Sequence, residues 1–291
     1  MIPPWPYQKP PIELIRERYS CRTYQPTPLA EDERRALAEF ASTLQRGPLG
    51  SALRFALLAA TEQDRAALRG LGTYGFIRGA PGFIVGAVRS GEKDMEDFGY
   101  RMEEIVLLAT NLGLGTCWLG GTFTKSAFAR KIALSEGEIL PAVVAVGYAA
   151  GRRALVDRLV RRSARGDRRF SWEQLFFEQG FEQPLGQEAA GAYAVPLEML
   201  RLAPSASNRQ PWRIVHQASA WHFFLQRTPA YSRGVRLFMG ADLQRVDMGI
   251  AMSHFALAAA EVGLSGRWAV DEPPIARPEE GIEYVVSWIE G

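Results

Sequence analysis

The sequence predicts an α+β chain folded as two similar halves. Three observations predict it: an ungapped internal repeat, strand-like runs placed alike around each copy, and an arginine-rich connector between the copies. Asp97 to Trp118 aligns with Asp247 to Trp268 at an offset of 150 residues, with eight identities: Asp97/Asp247, Gly99/Gly249, Met102/Met252, Leu107/Leu257, Ala109/Ala259, Gly113/Gly263, Leu114/Leu264 and Trp118/Trp268. Each copy reads as a helix of about four turns, because Met102, Ile105, Val106 and Ala109, and likewise Met252, Phe255, Ala256 and Ala259, recur at three- and four-residue steps. Gly113 and Gly263 stand where a left-handed C-terminal cap is expected, a conformation glycine adopts without steric cost.

Short apolar runs flank each helix. Leu53 to Leu58 and Pro81 to Gly86 precede the first, and Trp212 to Val215 and Trp221 to Leu225 precede the second. Ala142 to Gly147 and Tyr284 to Trp288 follow them, and all are rich in the β-branched and aromatic residues of strands. The expected organisation is a first half over residues 1–150, a connector over 151–189 and a second half over 190–291. An intramolecular pseudo-dimer about an approximate two-fold axis is the natural packing for such a duplication.

Composition bounds the function. The 291 residues are 47% hydrophobic and 23% charged, which excludes wholesale disorder. The longest apolar stretch, Ile139 to Ala150, contains Pro141 and Gly147 and falls short of the roughly 18 residues of a membrane span, so no membrane partner is expected. Met1 to Pro6 lacks the basic flank and apolar core of a secretory signal, and Cys21 and Cys117 are the only cysteines, so a reducing cytoplasm is expected. A net charge of +2 gives no reason to bind nucleic acid. Between Gly151 and Arg169, however, eight arginines stand against Asp157 and Asp167, which suits either a solvated face or a phosphate clamp. His216, His222 and His254 do not cluster with cysteine or carboxylates at ligand spacing, so no metal is expected.

Two segments carry chemistry. Arg18-Tyr19-Ser20-Cys21-Arg22 offers two guanidiniums and a hydroxyl within five residues, suited to a phosphate monoester. The bland reading of Arg18 and Arg22, four residues apart, is one solvated helix face. Ala203-Pro204-Ser205-Ala206-Ser207-Asn208-Arg209-Gln210-Pro211-Trp212 offers serine, asparagine and glutamine groups on a proline-punctuated loop, suited to a flat polar heterocycle. No Gly-x-Gly-x-x-Gly follows a strand, so a Rossmann dinucleotide domain is disfavoured.

With these motifs, Leu112-Gly113-Leu114-Gly115 and Trp118-Leu119-Gly120-Gly121, the chain resembles the FMN-dependent nitroreductase family over nearly its whole length. The resemblance implies a nitroreductase-like fold with helices around central, mostly antiparallel sheets. It implies one FMN between the halves: Arg18, Tyr19, Ser20 and Arg22 at the phosphate and ribityl end, helped by Arg165, Arg168 or Arg169; Pro204, Ser205, Ala206, Ser207 and Asn208 from the opposite half; Gln210 on the cofactor or bracing the loop. Trp118 is read as pocket wall, and backbone at Leu119, Gly120 and Gly121 as approaching the ring. Tyr74, Phe76 and Phe98 are candidates for the substrate face. The chemistry is the cofactor's, so no catalytic acid or nucleophile is expected.

The order departs from the family pattern, in which the Pro-Ser loop follows the arginine motif within one short subunit. Here one site keeps both parts, one in each half. In the other, the loop has become Thr43 to Pro48 and the arginine motif Gln187 to Ala192, so one FMN per chain is expected. The implied activity is two-electron, ping-pong reduction of nitroaromatics, quinones or similar flat acceptors, with NAD(P)H as transient donor, by a chain that is its own dimer and so compatible with a monomer. Alternatives are a flavin-binding or regulatory protein without turnover, and a reductive dehalogenase or flavin-fragmenting enzyme of the same fold.

Overall fold

A computed structural model describes residues 6–61, 68–121, 123–150, 168–228, 241–278 and 281–291. Pro11 sits at the start of α1 (Pro11–Glu17), where its missing N–H costs nothing. The chain then leaves the helix: Ser20 bridges to Thr116, Thr23 to Arg78 and Tyr24 to Ala149, so Arg18 and Arg22 lie on no helix face. Helix α2 (Glu31–Thr43) follows, with the Glu33 carboxylate accepting from the Ala30 amide at its N-terminus.

The first sheet comprises β1 (Leu53–Ala59), β2 (Gly82–Arg89), β3 (Gly115–Leu119), β4 (Glu138–Ile139) and β5 (Val143–Gly147) in the order β1-β2-β5-β3, with β4 beside β2. Every pairing is antiparallel, with Phe55 opposite Gly86, Ile84 opposite Val144 and Cys117 opposite Ala145. Side chains alternate between faces: Ile84 and Val88 join the main core, while Phe83, Val85 and Ala87 join a second cluster with Phe128 of α4 (Lys125–Lys131).

The second sheet repeats the path. It comprises β6 (Phe176–Glu178), β7 (Trp212–Gln217), β8 (Ala220–Gln226), β9 (Gly266–Ala269) and β10 (Ile282–Glu290) in the order β6-β7-β8-β10-β9. In both halves the last strand inserts between the second strand and the one after the long helix. The connector also contributes: β6 adds to β7 in the one parallel pairing among the described strands.

The repeated helices are α3 (Asp94–Asn111) and, after α5 (Ala194–Arg201), α6 (Leu243–Glu261). Both end on a left-handed glycine, Gly113 at φ 77° and Gly263 at φ 79°, and the next amide reaches back five residues, Leu114 to Ala109 at 2.9 Å and Leu264 to Ala259 at 2.8 Å. The two helices pack on each other at Gly99 and Gly249. A Cβ on Gly99 would lie 2.1 Å from the Val246 carbonyl oxygen, and one on Gly249 would lie 1.9 Å from that of Glu96. The repeated glycine is therefore a close backbone contact across the pseudo-two-fold.

This crossing joins the halves. Helix α3 packs on β2 and β3, α6 packs on β8, and Met102, Ile105, Val106, Met252, Phe255 and Ala256 share one core. Burial on nearly all sides forces the charged groups of α3 to find partners. Glu96 pairs with Arg245 at 3.0 Å, Asp97 takes loop amides, Glu103 meets His254 at 2.9 Å, and Glu104 pairs with Arg101 at 2.9 Å.

Candidate functional site

A cavity of about 410 Å³ opens between the halves, within the ~300–1,000 Å³ range of small-molecule sites. The first half lends Ser20 and Arg22 from the segment beside β3, Cys117 and Trp118 from β3 itself, then Gly120, Gly121, Ala142 and Phe76. The second half lends Pro204, Ser205, Ala206 and Ser207 from the loop after α5, and Leu243, Val246, Asp247 and Ile250 from one face of α6. Residues far apart in sequence meet here because Ser20 bridges to β3 and the α3–α6 crossing brings the first turns of α6 beneath the same strand.

The loop is held in an unusual conformation. Ser207, Asn208 and Gln210 have φ of 52°, 53° and 48°, a left-handed region that costs a non-glycine residue about 1 kcal/mol or more. Compensation comes from hydrogen bonds. Both Asp247 carboxylate oxygens accept from the Ala206 amide, at 3.0 and 3.1 Å, and Ser205 Oγ accepts from the Gln210 amide at 2.9 Å. Burial pushes the Asp247 carboxyl well above the usual carboxylate range, with the Ala206 amide acting the other way.

Arg22 supplies the positive charge. Its guanidinium carbon lies 5.6 Å from the centroid of the Phe76 ring, and Nε and Nη1 are buried without a hydrogen-bond partner among the described residues. Unpaired buried donors of this kind are costly unless a ligand completes them.

The remaining candidates separate. Arg18 does not line the cavity; its Nε lies 3.6 Å from Glu103 Oε1, because the chain leaving α1 passes against α3 before reaching β3. Tyr19 alternates to the outside at 42% exposure, and the Leu119 side chain is buried in the second cluster. Asn208, Gln210, Arg168 and Arg169 line a different cavity, of about 470 Å³, on the far side of the loop. There Arg169 donates to Asn208 Oδ1 at 3.1 Å and to the Leu202 carbonyl at 3.1 Å, and Asn208 donates to the Arg168 carbonyl at 2.8 Å. Gln210 Oε1 accepts from the Phe170 amide at 2.9 Å, so this glutamine braces the loop. Arg165 lies outside the described residues. Of the aromatic candidates, Phe76 reaches the cavity, Tyr74 is 75% exposed and Phe98 is fully buried in the main core.

Cys117, Ala142, Leu243, Val246, Asp247 and Ile250 were not anticipated as lining residues. Asp247 carried a signal, being the first identity of the repeat in a helix otherwise apolar on that face; the others look like any core residue until the partner half is in place.

Among the described residues no helix is long and apolar enough to cross a membrane, and no group of three or more His, Cys, Asp and Glu side chains could hold a metal ion. No curated protein matches the chain. Among solved structures, a "putative nitroreductase" from Thermotoga maritima is similar at 20% identity and TM-score 0.57, over 99% of this chain and 97% of that one. Shorter chains match about half of it: a "putative nitroreductase" in complex with FMN from Desulfovibrio desulfuricans at 24% identity and TM-score 0.39, over 49% of this chain and 88% of that one, and a nitroreductase with bound FMN from Bacteroides fragilis at 21% identity and TM-score 0.38, over 49% and 90%. The family model described as "Putative TM nitroreductase" matches residues 11–259, and the chain belongs to that nitroreductase family.

Proposed function

We propose that the chain is an FMN-dependent oxidoreductase that takes two electrons from NAD(P)H and passes them to a flat, electron-poor acceptor such as a nitroaromatic or a quinone. The observation that carries this reading is the joint cavity with the unpaired, buried Nε and Nη1 of Arg22 at its edge. Its donor set fits the cofactor: Arg22 with Ser20 for a phosphate and the Ser205 to Ser207 loop for a flat heterocycle, with the Trp118 ring as an apolar wall. FMN, when bound, would supply two-electron redox chemistry between a reduced nicotinamide and the acceptor. The protein's part is to bind, orient and exclude water. Asp247 fixes the loop through the Ala206 amide, and Gly120 keeps β3 close to the second half, since a Cβ there would lie 2.4 Å from the Leu243 side chain. Phe76, 45% exposed at the mouth, offers a ring against which donor and acceptor can dock in turn. The fused halves need no second chain to complete this cavity, which supports a monomer with one FMN.

The visible absorption spectrum of the purified chain, with released flavin counted against protein, tests the cofactor. One FMN per chain is expected; two per chain refutes the single site, and a protein that stays colourless with added FMN refutes the reading. Steady-state NAD(P)H oxidation with menadione or a nitroaromatic tests turnover: bound flavin with no acceptor-dependent oxidation makes the chain a flavin binder instead.

A further inference from the structure

Behind Trp118 lies a cluster of ionisable groups that the cavity itself does not use. Glu103 of α3 and His254 of α6 are both fully buried, and the Arg18 side chain is 6% exposed. Trp118 Nε1 donates to Glu103 Oε2 at 2.8 Å. His254 Nε2 lies 2.9 Å from Glu103 Oε1, His254 Nδ1 lies 3.1 Å from the Met199 carbonyl oxygen, and Arg18 Nε lies 3.6 Å from Glu103 Oε1.

Hydrogen-bond chemistry limits where the protons are. A carbonyl oxygen only accepts, so His254 Nδ1 carries a hydrogen. At 2.9 Å a second hydrogen must lie between His254 Nε2 and Glu103 Oε1, since two bare lone pairs facing each other at that distance repel. That hydrogen makes either an imidazolium beside a carboxylate or a neutral imidazole beside a carboxylic acid. With the Arg18 guanidinium included, the cluster carries one net positive charge in both cases. Its placement is one-sided. In the repeat, Glu103 corresponds to Ser253 and His254 to Glu104, which pairs with Arg101, while Trp118 corresponds to Trp268, whose ring packs at 5.0 Å from that of Trp288.

Building on the proposed function, we infer that Glu103 and His254 are positioning residues: they share a buried proton, hold the Trp118 indole as a cavity wall, and keep a net positive charge behind it that favours the reduced, more negative form of the flavin over the oxidised one. A buried charge acts at short range through a medium that screens it poorly.

Two isosteric variants separate charge from shape. Glu103→Gln keeps an acceptor for Trp118, offers an N–H to a neutral His254 and leaves the net charge at one. His254→Gln keeps a donor for Glu103 but removes that charge. The measurement is the ratio of oxidised to reduced FMN dissociation constants, obtained from binding and the midpoint potential of bound against free flavin. Glu103→Gln is expected to stay within about twofold of the parent, and His254→Gln to lower the preference for reduced flavin by about tenfold. A role in packing alone would weaken both redox forms equally. An unchanged ratio in His254→Gln, or an equal shift in Glu103→Gln, overturns the inference. Proton NMR of the unsubstituted apoprotein at neutral pH serves if a variant fails to fold: besides the Nδ1 hydrogen, a strongly downfield resonance from the shared proton is expected, and its absence overturns the shared proton. A parent chain that takes up no FMN refutes the functional reading and the positioning role together, whereas normal uptake with an unchanged ratio refutes the positioning role alone.

Discussion

The two copies of the loop and helix that flank the pseudo-two-fold share a design and differ in what they leave open. In both, an aspartate in the first turns of the long helix fastens a loop by backbone amides: Asp247 takes the Ala206 amide, and Asp97 takes those of Leu49 and Ser51 at 2.7 and 2.8 Å. The neighbours of that aspartate decide the rest. Leu243, Val246 and Ile250 present a smooth apolar wall to the cavity, and their mates in the repeat are Lys93, Glu96 and Tyr100. Tyr100 is buried against the core with the Arg101 guanidinium 5.5 Å from its ring centroid, and Arg101 Nε donates to the Arg46 carbonyl at 2.9 Å. Gly47 lies so close to Asp97 that a Cβ would come 2.1 Å from the carboxylate carbon. The first-half loop is thus fastened to its helix by two amides, while the second-half loop is fastened by one and then passes through three left-handed residues. One fastening device supports an apolar wall in one half and a charged, tyrosine-bearing face in the other.

The arginine motif breaks the symmetry further. Residues 20–24 form an extended segment that bridges to β3 at Thr116 and then to Arg78 and Ala149, whereas the corresponding stretch, Gln187 to Ala192, forms mostly exposed turns leading into α5. No second extended segment meets β9 among the described residues.

The largest expected effect comes from breaking the contact both halves share. Gly249→Ala places a methyl group on the Glu96 backbone with no flexible atom to yield, so chemical denaturation is expected to show a loss of about 3 kcal/mol or more. An unaffected midpoint would mean the helices cross elsewhere. Next in size is the difference between the two arginines: Arg22→Ala should weaken FMN binding by about 10- to 100-fold through lost charge-assisted bonds, and Arg46→Ala, on the first-half loop, by less than about twofold. Equal losses in a binding titration would make both sites functional.

The two aspartates sharpen the comparison. Asp247→Asn should cost about 1 kcal/mol of stability and weaken FMN binding measurably, while Asp97→Asn should cost similar stability and leave binding unchanged. The pH dependence is subtler. Burial raises Glu96 from an ordinary 4.5 to about 7, against the pull of Arg245. The folded chain therefore holds that proton more tightly than the unfolded one, and stability falls as pH rises from about 4.5 to about 7. Glu96→Gln should flatten that slope in denaturation midpoints, and a parent-like slope would assign it to other groups. Asn208→Ala comes last: its side chain faces the far cavity, so FMN affinity should change by less than about twofold, and a larger loss in a binding titration would place Asn208 at the cofactor.

Much of this was legible in the residues. The gapless repeat, the helix caps at Gly113 and Gly263 and the short β-branched and aromatic strand runs are local patterns, and local patterns survive translation into structure because backbone sterics and side-chain periodicity act over a few residues. The motif loop was legible for the same reason: a proline-bounded run of serine and asparagine declares a turn. Its two faces were not. Ser205 to Ser207 and Asn208 to Gln210 are neighbours in sequence, but three left-handed residues turn the first group to the cavity and the second to Phe170 and Arg168.

The repeat, the two long helices, six of the strands and the family are written in local residue patterns, and with them the idea that a complete site needs one part from each half. Tertiary structure alone decided which arginine faces the cavity, which side chains of α6 wall it, and that Glu103 meets His254 across the halves. Those outcomes depend on the α3–α6 crossing, where contacts between residues about 150 positions apart are set by how closely two glycines let the backbones approach, and no local periodicity encodes that distance.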